Sequence, residues 1–298
     1  MIAKETSIRR EFNFEKAFSR NIGFITDQEL ESLRNKKIAI AGMGGVGGSH
    51  LLVLTRLGIS NFHIADFDTY DLVNFNRQIL AKVSTIGHSK ADVLKTEALD
   101  INPEANIKVF SDGVTETNID EFLDGVDLYV DGLDAFQIKM RRVVFAECHR
   151  RGIPGTTVAP IGMGAALINF LPGYMSFEDY FGLEGLSKED QLTHFAAGLA
   201  PKALHLPSLI DRSKFNLYEE KAASTPMGCF LSSGVAATEA LKILLHRGKV
   251  YAAPYAIQYD AYTNRLSRTW MPFGYKNPVF KLKVFLVKTL LRRAQNGG

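Results

Sequence analysis

The stretch Ile38-Ala-Ile-Ala-Gly42-Met-Gly44-Gly45-Val46-Gly47 joins an apolar strand to a G-x-G-x-x-G turn, and an apolar segment with helical pattern follows from Ser49 to Leu57. That order restricts the fold to an α/β unit in which strand, tight turn and helix succeed one another. The glycines let the chain reverse within a few residues and bring the helix N-terminus close to a ligand. Its free N–H groups and the positive end of its dipole then face a phosphate. The motif therefore predicts a nucleotide and does not say which one.

The following residues narrow the choice. Asn61-Phe-His-Ile-Ala65 reads as a second strand ending in Asp66, placed where an acid meets a ribose hydroxyl. A dehydrogenase needs little more. This chain continues through Asp68, Asn74, Arg77 and Gln78 to Gly87-His-Ser-Lys90. Arg offers a planar two-point grip on phosphate oxygens and Lys a mobile point charge, the equipment of a triphosphate site. Asp134 follows later in Asp131-Gly-Leu-Asp134, at the end of a fourth strand, Asp127–Asp131.

Taken together these residues resemble the E1-like (ThiF/MoeB/HesA) family of adenylating enzymes, from about Arg20 to about Leu245. The resemblance implies a Rossmann-like, mainly parallel sheet with helices on both faces. It also implies ATP-dependent adenylation of a carboxylate with Mg²⁺. Gly42, Gly44, Gly45 and Gly47 then form the phosphate turn, and Asp66 resembles the ribose ligand, with Asp68 beside it. Asn74, Arg77, Gln78 and Lys90 resemble the phosphate-handling group, and Asp134 the acid near magnesium and the α-phosphate. Arg20 resembles an arginine that reaches ATP from the partner subunit of a homodimer. The implied substrate is the C-terminus of a ubiquitin-like or sulfur-carrier protein, or of a peptide. Two alternatives remain: an NAD(P)-dependent oxidoreductase, which leaves Arg77 and Lys90 without a task, and a non-catalytic nucleotide-binding partner of another E1-like subunit.

Composition sets outer bounds. The 298 residues are 46% hydrophobic and 22% charged, enough for a full core and unlike a disordered chain. A formal charge of +3 gives no expectation of a nucleic-acid ligand. No signal peptide is read in Met1–Arg10 and no run of ~18 apolar residues in the chain, so a cytoplasmic location is expected. Only two cysteines are present, so the four-thiolate zinc site of many relatives cannot form. The crossover stretch 208–225, where many relatives carry a nucleophilic cysteine, has none. Cys148 and Cys229 are expected to be packed thiols, and the chemistry to proceed without a thioester on the crossover loop.

Three segments are expected along the chain: a helical arm at 1–35, an adenylation domain at 36–275 and a basic tail at 276–298. Asp27 is expected to cap a helix at 28–34. Ser232–Leu245 reads as a small-residue helix suited to a dimer interface or to core packing. The aromatic stretch beginning Pro172-Gly-Tyr-Met-Ser-Phe177 is expected to be either a substrate-recognition insert or a satellite core replacing the zinc. His194, His205 and Asp211 are read as solvated loop residues. In the tail, aliphatic residues alternate with lysines and arginines from Val279 to Ala294, a pattern read as a partner-docking or dimer-supporting helix before membrane contact. The terminal Gly297-Gly298 is read as a frayed end.

Overall fold

A computed structural model describes residues 12–211 and 223–296, with side chains as far as 289. Its strands are β1 (Lys37–Ala41), β2 (Asn61–Ala65), β3 (Asn106–Phe110), β4 (Leu128–Asp131), β5 (Gly155–Ile161), β6 (Gly164–Phe170), β7 (Tyr255–Asp260) and β8 (Arg265–Trp270). They form one sheet in the order β3-β2-β1-β4-β5-β6-β7-β8. Pairing is parallel from β3 to β5. From β5 to β8 it is antiparallel. The change of direction follows from connection length: only Gly162 and Met163 separate β5 from β6, enough for a hairpin and far too few for a crossover.

Side chains alternate across the sheet, and each face is covered. Ile38 and Ile40 of β1 face helices α1 (Phe14–Phe18), α2 (Asp27–Asn35), α3 (Gly47–Arg56), α4 (Lys90–Ile101) and α9 (Pro226–Leu244). Ala39 and Ala41 face α5 (Ile119–Phe122), α6 (Ile138–Arg151), α7 (Phe177–Phe181), α8 (Lys188–Leu199) and α10 (Pro278–Asn296). Helices thus lie on both faces of a sheet whose parallel half carries the nucleotide motif.

Several local expectations change. Helix α2 is capped by Thr26, not Asp27: the Thr26 hydroxyl accepts the Glu29 N–H at 3.1 Å, and the Glu29 carboxylate accepts the Thr26 N–H at 2.9 Å. The small-residue helix starts at Pro226, with Thr225 accepting the Gly228 N–H at 3.2 Å, so Cys229 lies in its first turns. By length and hydropathy α9 would suffice to cross a membrane, yet it packs on α3, β5 and β6. The segment from residue 276 is ordered as helix α10, whose Phe280 is fully buried against Tyr180 of α7. Arm residues 1–11, crossover residues 212–222 and the terminal Gly297-Gly298 lie outside the described residues.

The aromatic stretch resolves into core. Phe177, Tyr180 and Phe181 are buried. Phe177 stacks on Phe145 of α6, ring centroids 4.7 Å apart and planes 10° apart. The Tyr180 hydroxyl donates to the Gly198 carbonyl at 3.0 Å. Rings committed to this packing present no recognition surface; Tyr174 alone of the group stands out into solvent.

Candidate active site

In the sheet order, β1 has β2 on one side and β4 on the other, so the crevice at their carboxyl ends is a topological switch point. Backbone bonds close it tightly. The Gly42 N–H donates to the Ala65 carbonyl at 2.8 Å, and the Gly132 N–H to the Ala41 carbonyl at 2.9 Å. Gly42 has a φ of +84°, a left-handed conformation that L side chains resist. A Cβ on Gly47 would lie 1.7 Å from the Gly42 carbonyl oxygen. These glycines exist so that three segments of main chain can touch.

Gly44 and Gly45 face the other way, toward side chains. A Cβ on Gly45 would lie 3.1 Å from Cys229 Sγ and 3.6 Å from Arg77 Cγ, and one on Gly44 would lie 3.7 Å from Gln78 Nε2. Arg77 and Gln78 are therefore brought to the turn at the N-terminus of α3. Arg77 is half-buried and donates from Nη1 to the Val73 carbonyl and the Asn76 side-chain oxygen, both at 3.0 Å. Gln78 is buried, with Oε1 lacking a protein partner. Asn76 donates to the Ser224 carbonyl at 3.0 Å, tying the polar run to the start of α9.

Asp66 ends β2. One carboxylate oxygen accepts the Met43 N–H at 2.5 Å and the other the Asp68 N–H at 2.8 Å. Burial pushes its pKa up, and the two N–H groups and Lys90 oppose that rise. Each oxygen keeps a lone pair for a ribose hydroxyl. Lys90 opens α4, is buried, and pairs with Asp68 at 2.9 Å. Asp68 is thus the resident partner of Lys90. Asn74 is buried and accepts the Asp71 N–H at 3.0 Å, so it shapes the turn that delivers Arg77.

Asp134 is exposed in the loop after β4, with Oδ1 accepting the Phe136 N–H at 3.0 Å. Arg20 lies elsewhere in its own chain. It lines a cavity of about 190 Å³ with Ala17, Phe18, Asn21 and Arg56. Arg56 ends α3, and a helix of ten residues spans ~15 Å, so Arg20 sits at the end of α3 remote from the glycine turn.

Among the described residues no three of His, Cys, Asp and Glu gather as a metal site. Cys148 and Cys229 are both free and buried. Burial pushes the Cys229 thiol up, more than Ser224 and Arg77 bring it down, so the group beside Gly45 is a protonated thiol at neutral pH.

Two features escaped the sequence. His205 packs against the Gly162 turn near Asp260, with its Nδ1 buried, rather than standing in a solvated loop. Arg141 is buried and pairs with the equally buried Asp131, Nε to Oδ2, at 2.7 Å. A signal existed for it: Ile138, Arg141, Val144, Phe145 and Cys148 form the buried stripe of α6 at helical spacing, and Arg141 is its one charged member.

A nucleotide-type glycine turn, a strand-end acid and the cations Arg77 and Lys90 at one switch point define an α/β nucleotide-binding protein. The ThiF family model matches residues 18–278, and the chain belongs to the ThiF family. It is 37% identical over 138 residues to the tRNA threonylcarbamoyladenosine dehydratase of Bacillus subtilis (strain 168), covering 46% of this chain and 54% of that protein. It is 38% identical over 106 residues to a probable molybdopterin-synthase adenylyltransferase of Porphyra purpurea, covering 36% of this chain and 28% of that protein. The match therefore spans only part of the length of these curated relatives. Among solved structures, E. coli MccB with ATP superposes with a TM-score of 0.63 at 20% identity, over 85% of this chain and 69% of that one, a likeness of fold.

Proposed function

We propose that the protein adenylates a carboxylate with ATP. The observation that carries this reading is the convergence of Arg77 and Gln78 on Gly44–Gly45, with Lys90 paired to Asp68, whose N–H is bonded to Asp66. In adenylation a carboxylate oxygen bonds to the α-phosphorus, the bond to the bridging oxygen breaks, and pyrophosphate leaves with growing negative charge. Fixed cations at that position lower the barrier. The α3 N-terminus receives the phosphates, Asp66 the ribose, and Arg77 and Lys90 the departing pyrophosphate.

The donor set fits Mg²⁺ in the form this reaction uses. A single carboxylate, Asp134, would hold it together with phosphate oxygens. Bound there, the ion supplies further neutralisation of the leaving group. The adenylyltransferase name of the Porphyra relative accords with a protein or peptide C-terminus as acyl substrate. The dehydratase name of the Bacillus relative makes a tRNA nucleoside the competing class, and pyrophosphate exchange with each class of substrate separates them.

The test that needs no acyl substrate is thermal stabilisation. Mg·ATP should raise the melting temperature, NAD and NADP should not, and Arg77→Ala should lose most of the ATP effect. Stabilisation by NAD alone would replace this reading with an oxidoreductase. The position of Arg20 further supports a homodimer in which each copy completes the other's site. Mixing Arg20→Ala with Arg77→Ala subunits should then recover about a quarter of wild-type exchange under random pairing, from the one dimer site that keeps both arginines. Mixtures no better than either variant would exclude this exchange of arginines.

A further inference from the structure

We propose that the buried Asp131–Arg141 pair is a positioning device for Asp134, fixing the loop so that this carboxylate meets the metal–triphosphate. The proposal rests on the adenylation reading and adds to it a part of the machinery outside the nucleotide's reach.

Stability alone does not account for the pair. Both side chains are about 97% buried, with relative exposures of 3% and 2%. Stripping two charges of water costs several kcal/mol for each ion, and apolar replacements of similar size are often neutral or stabilising. Arg141 also stands in the first turn of α6, where the helix dipole disfavours a cation. Its Nη1 is buried without a protein partner, a further cost.

The remaining bonds of the pair converge on the loop. Arg141 Nη2 donates to the Leu133 carbonyl at 2.6 Å and to the Asp134 carbonyl at 3.1 Å. Asp131 Oδ1 accepts the Leu133 N–H at 3.2 Å. Thus Asp131 holds the donor side of residue 133, while one guanidinium nitrogen holds the acceptors of residues 133 and 134. The clamp is itself anchored: Thr157 of β5 donates to Asp131 Oδ2 at 2.8 Å, Tyr129 of β4 to Oδ1 at 3.3 Å, and the guanidinium lies 4.8 Å from the centre of the Phe195 ring. With its backbone fixed on both sides and Oδ1 bonded to the Phe136 N–H, Asp134 has Oδ2 left for a cation. Lysine cannot do the same work, since a point donor lacks the planar fork that holds Asp131 and the carbonyls together.

The test measures binding of Mn·ATP by electron spin resonance, and of ATP in EDTA by thermal shift. Three variants are compared with wild type: Asp134→Asn, Arg141→Lys and the double variant Asp131→Leu/Arg141→Met. Wild type should bind Mn·ATP more tightly than metal-free ATP. Each variant should weaken Mn·ATP at least tenfold while leaving metal-free ATP within twofold. The double variant, which loses the buried charge pair together with its bonds to Thr157, Tyr129 and Leu133, should melt lower than wild type but remain folded. A purely structural role would change both forms of ATP alike. If Arg141→Lys or the folded double variant binds Mn·ATP as wild type does while Asp134→Asn fails, the clamp is refuted and the metal site stands. If wild type binds ATP in neither form, the adenylation reading falls and the proposal with it.

Discussion

Between β1 and β4 the main chain is closed so far that a methyl group on Gly47 would sit 1.7 Å from a carbonyl oxygen, and one on Gly132 2.5 Å from the same atom. Around β6 and α7 the chain stands further apart, and the gap is filled by Phe170, Phe177, Tyr180 and Phe181. Their neighbouring rings lie 4.7 to 6.2 Å apart, centre to centre. The first region admits glycine and little else, because three backbone segments must share one space. The second asks for volume and for one hydroxyl partner, and many combinations of large side chains would meet that demand. One half of the molecule is specified by chemistry, the other by packing.

A pair of substitutions tests that division with the largest effects expected. Gly47→Ala should destabilise by about 4 kcal/mol or more, because backbone must move to admit the new methyl group. It should also abolish stabilisation by Mg·ATP. Phe181→Ala should cost a comparable ~3–5 kcal/mol by leaving a cavity. The variant that remains folded should nevertheless keep the full ATP-dependent rise in melting temperature. Equal loss of the ATP effect in both variants would mean that the two halves are not separable.

The same division explains what was legible in the sequence. The β1 turn, the Asp66 strand end and the β4 end could be read because glycine and acid positions there answer to geometry and charge. Strands β7 and β8 had no comparable mark. Arg265, Leu266, Arg268 and Trp270 are all exposed, so β8, at the sheet edge, carries no clean alternation of apolar and polar residues. Thr26 rather than Asp27 caps α2, since both residue types cap helices and only the backbone turn decides between neighbours. Arg141 was hidden among Lys139, Arg142, Arg150 and Arg151 on one helix. Charge identifies none of them; burial singles out one. The aromatic stretch left two readings open because exposed and buried rings look alike in a sequence until α10 is seen to cover them.

His50 gives the smallest and most graded test, and it addresses the glycine-turn half alone. It lies one turn into α3, fully buried, and neither ring nitrogen has a protein partner. Burial lowers its pKa from 6.5 to about 3. Above pH 6.5 the ring is neutral whether the chain is folded or not, and pH changes nothing through it. Below that value the unfolded chain takes up a proton that the folded chain refuses, so stability falls as pH falls, by ~1.4 kcal/mol per unit until the folded group also titrates. His63 and His205 are lowered by burial too and add to the wild-type slope. The contribution of His50 is therefore the difference between wild type and His50→Leu, measured as urea unfolding free energy at pH 7, 6, 5 and 4. The variant should show the shallower slope, and at pH 7 should gain up to ~1 kcal/mol from losing two unsatisfied polar atoms. Parallel slopes would mean that α3 accommodates an imidazolium at little cost. Amide exchange at pH 5 should locate the loss in α3 and its turn, with α7 and α8 protected as at neutral pH. Acid would then disable the half specified by chemistry before the half specified by packing.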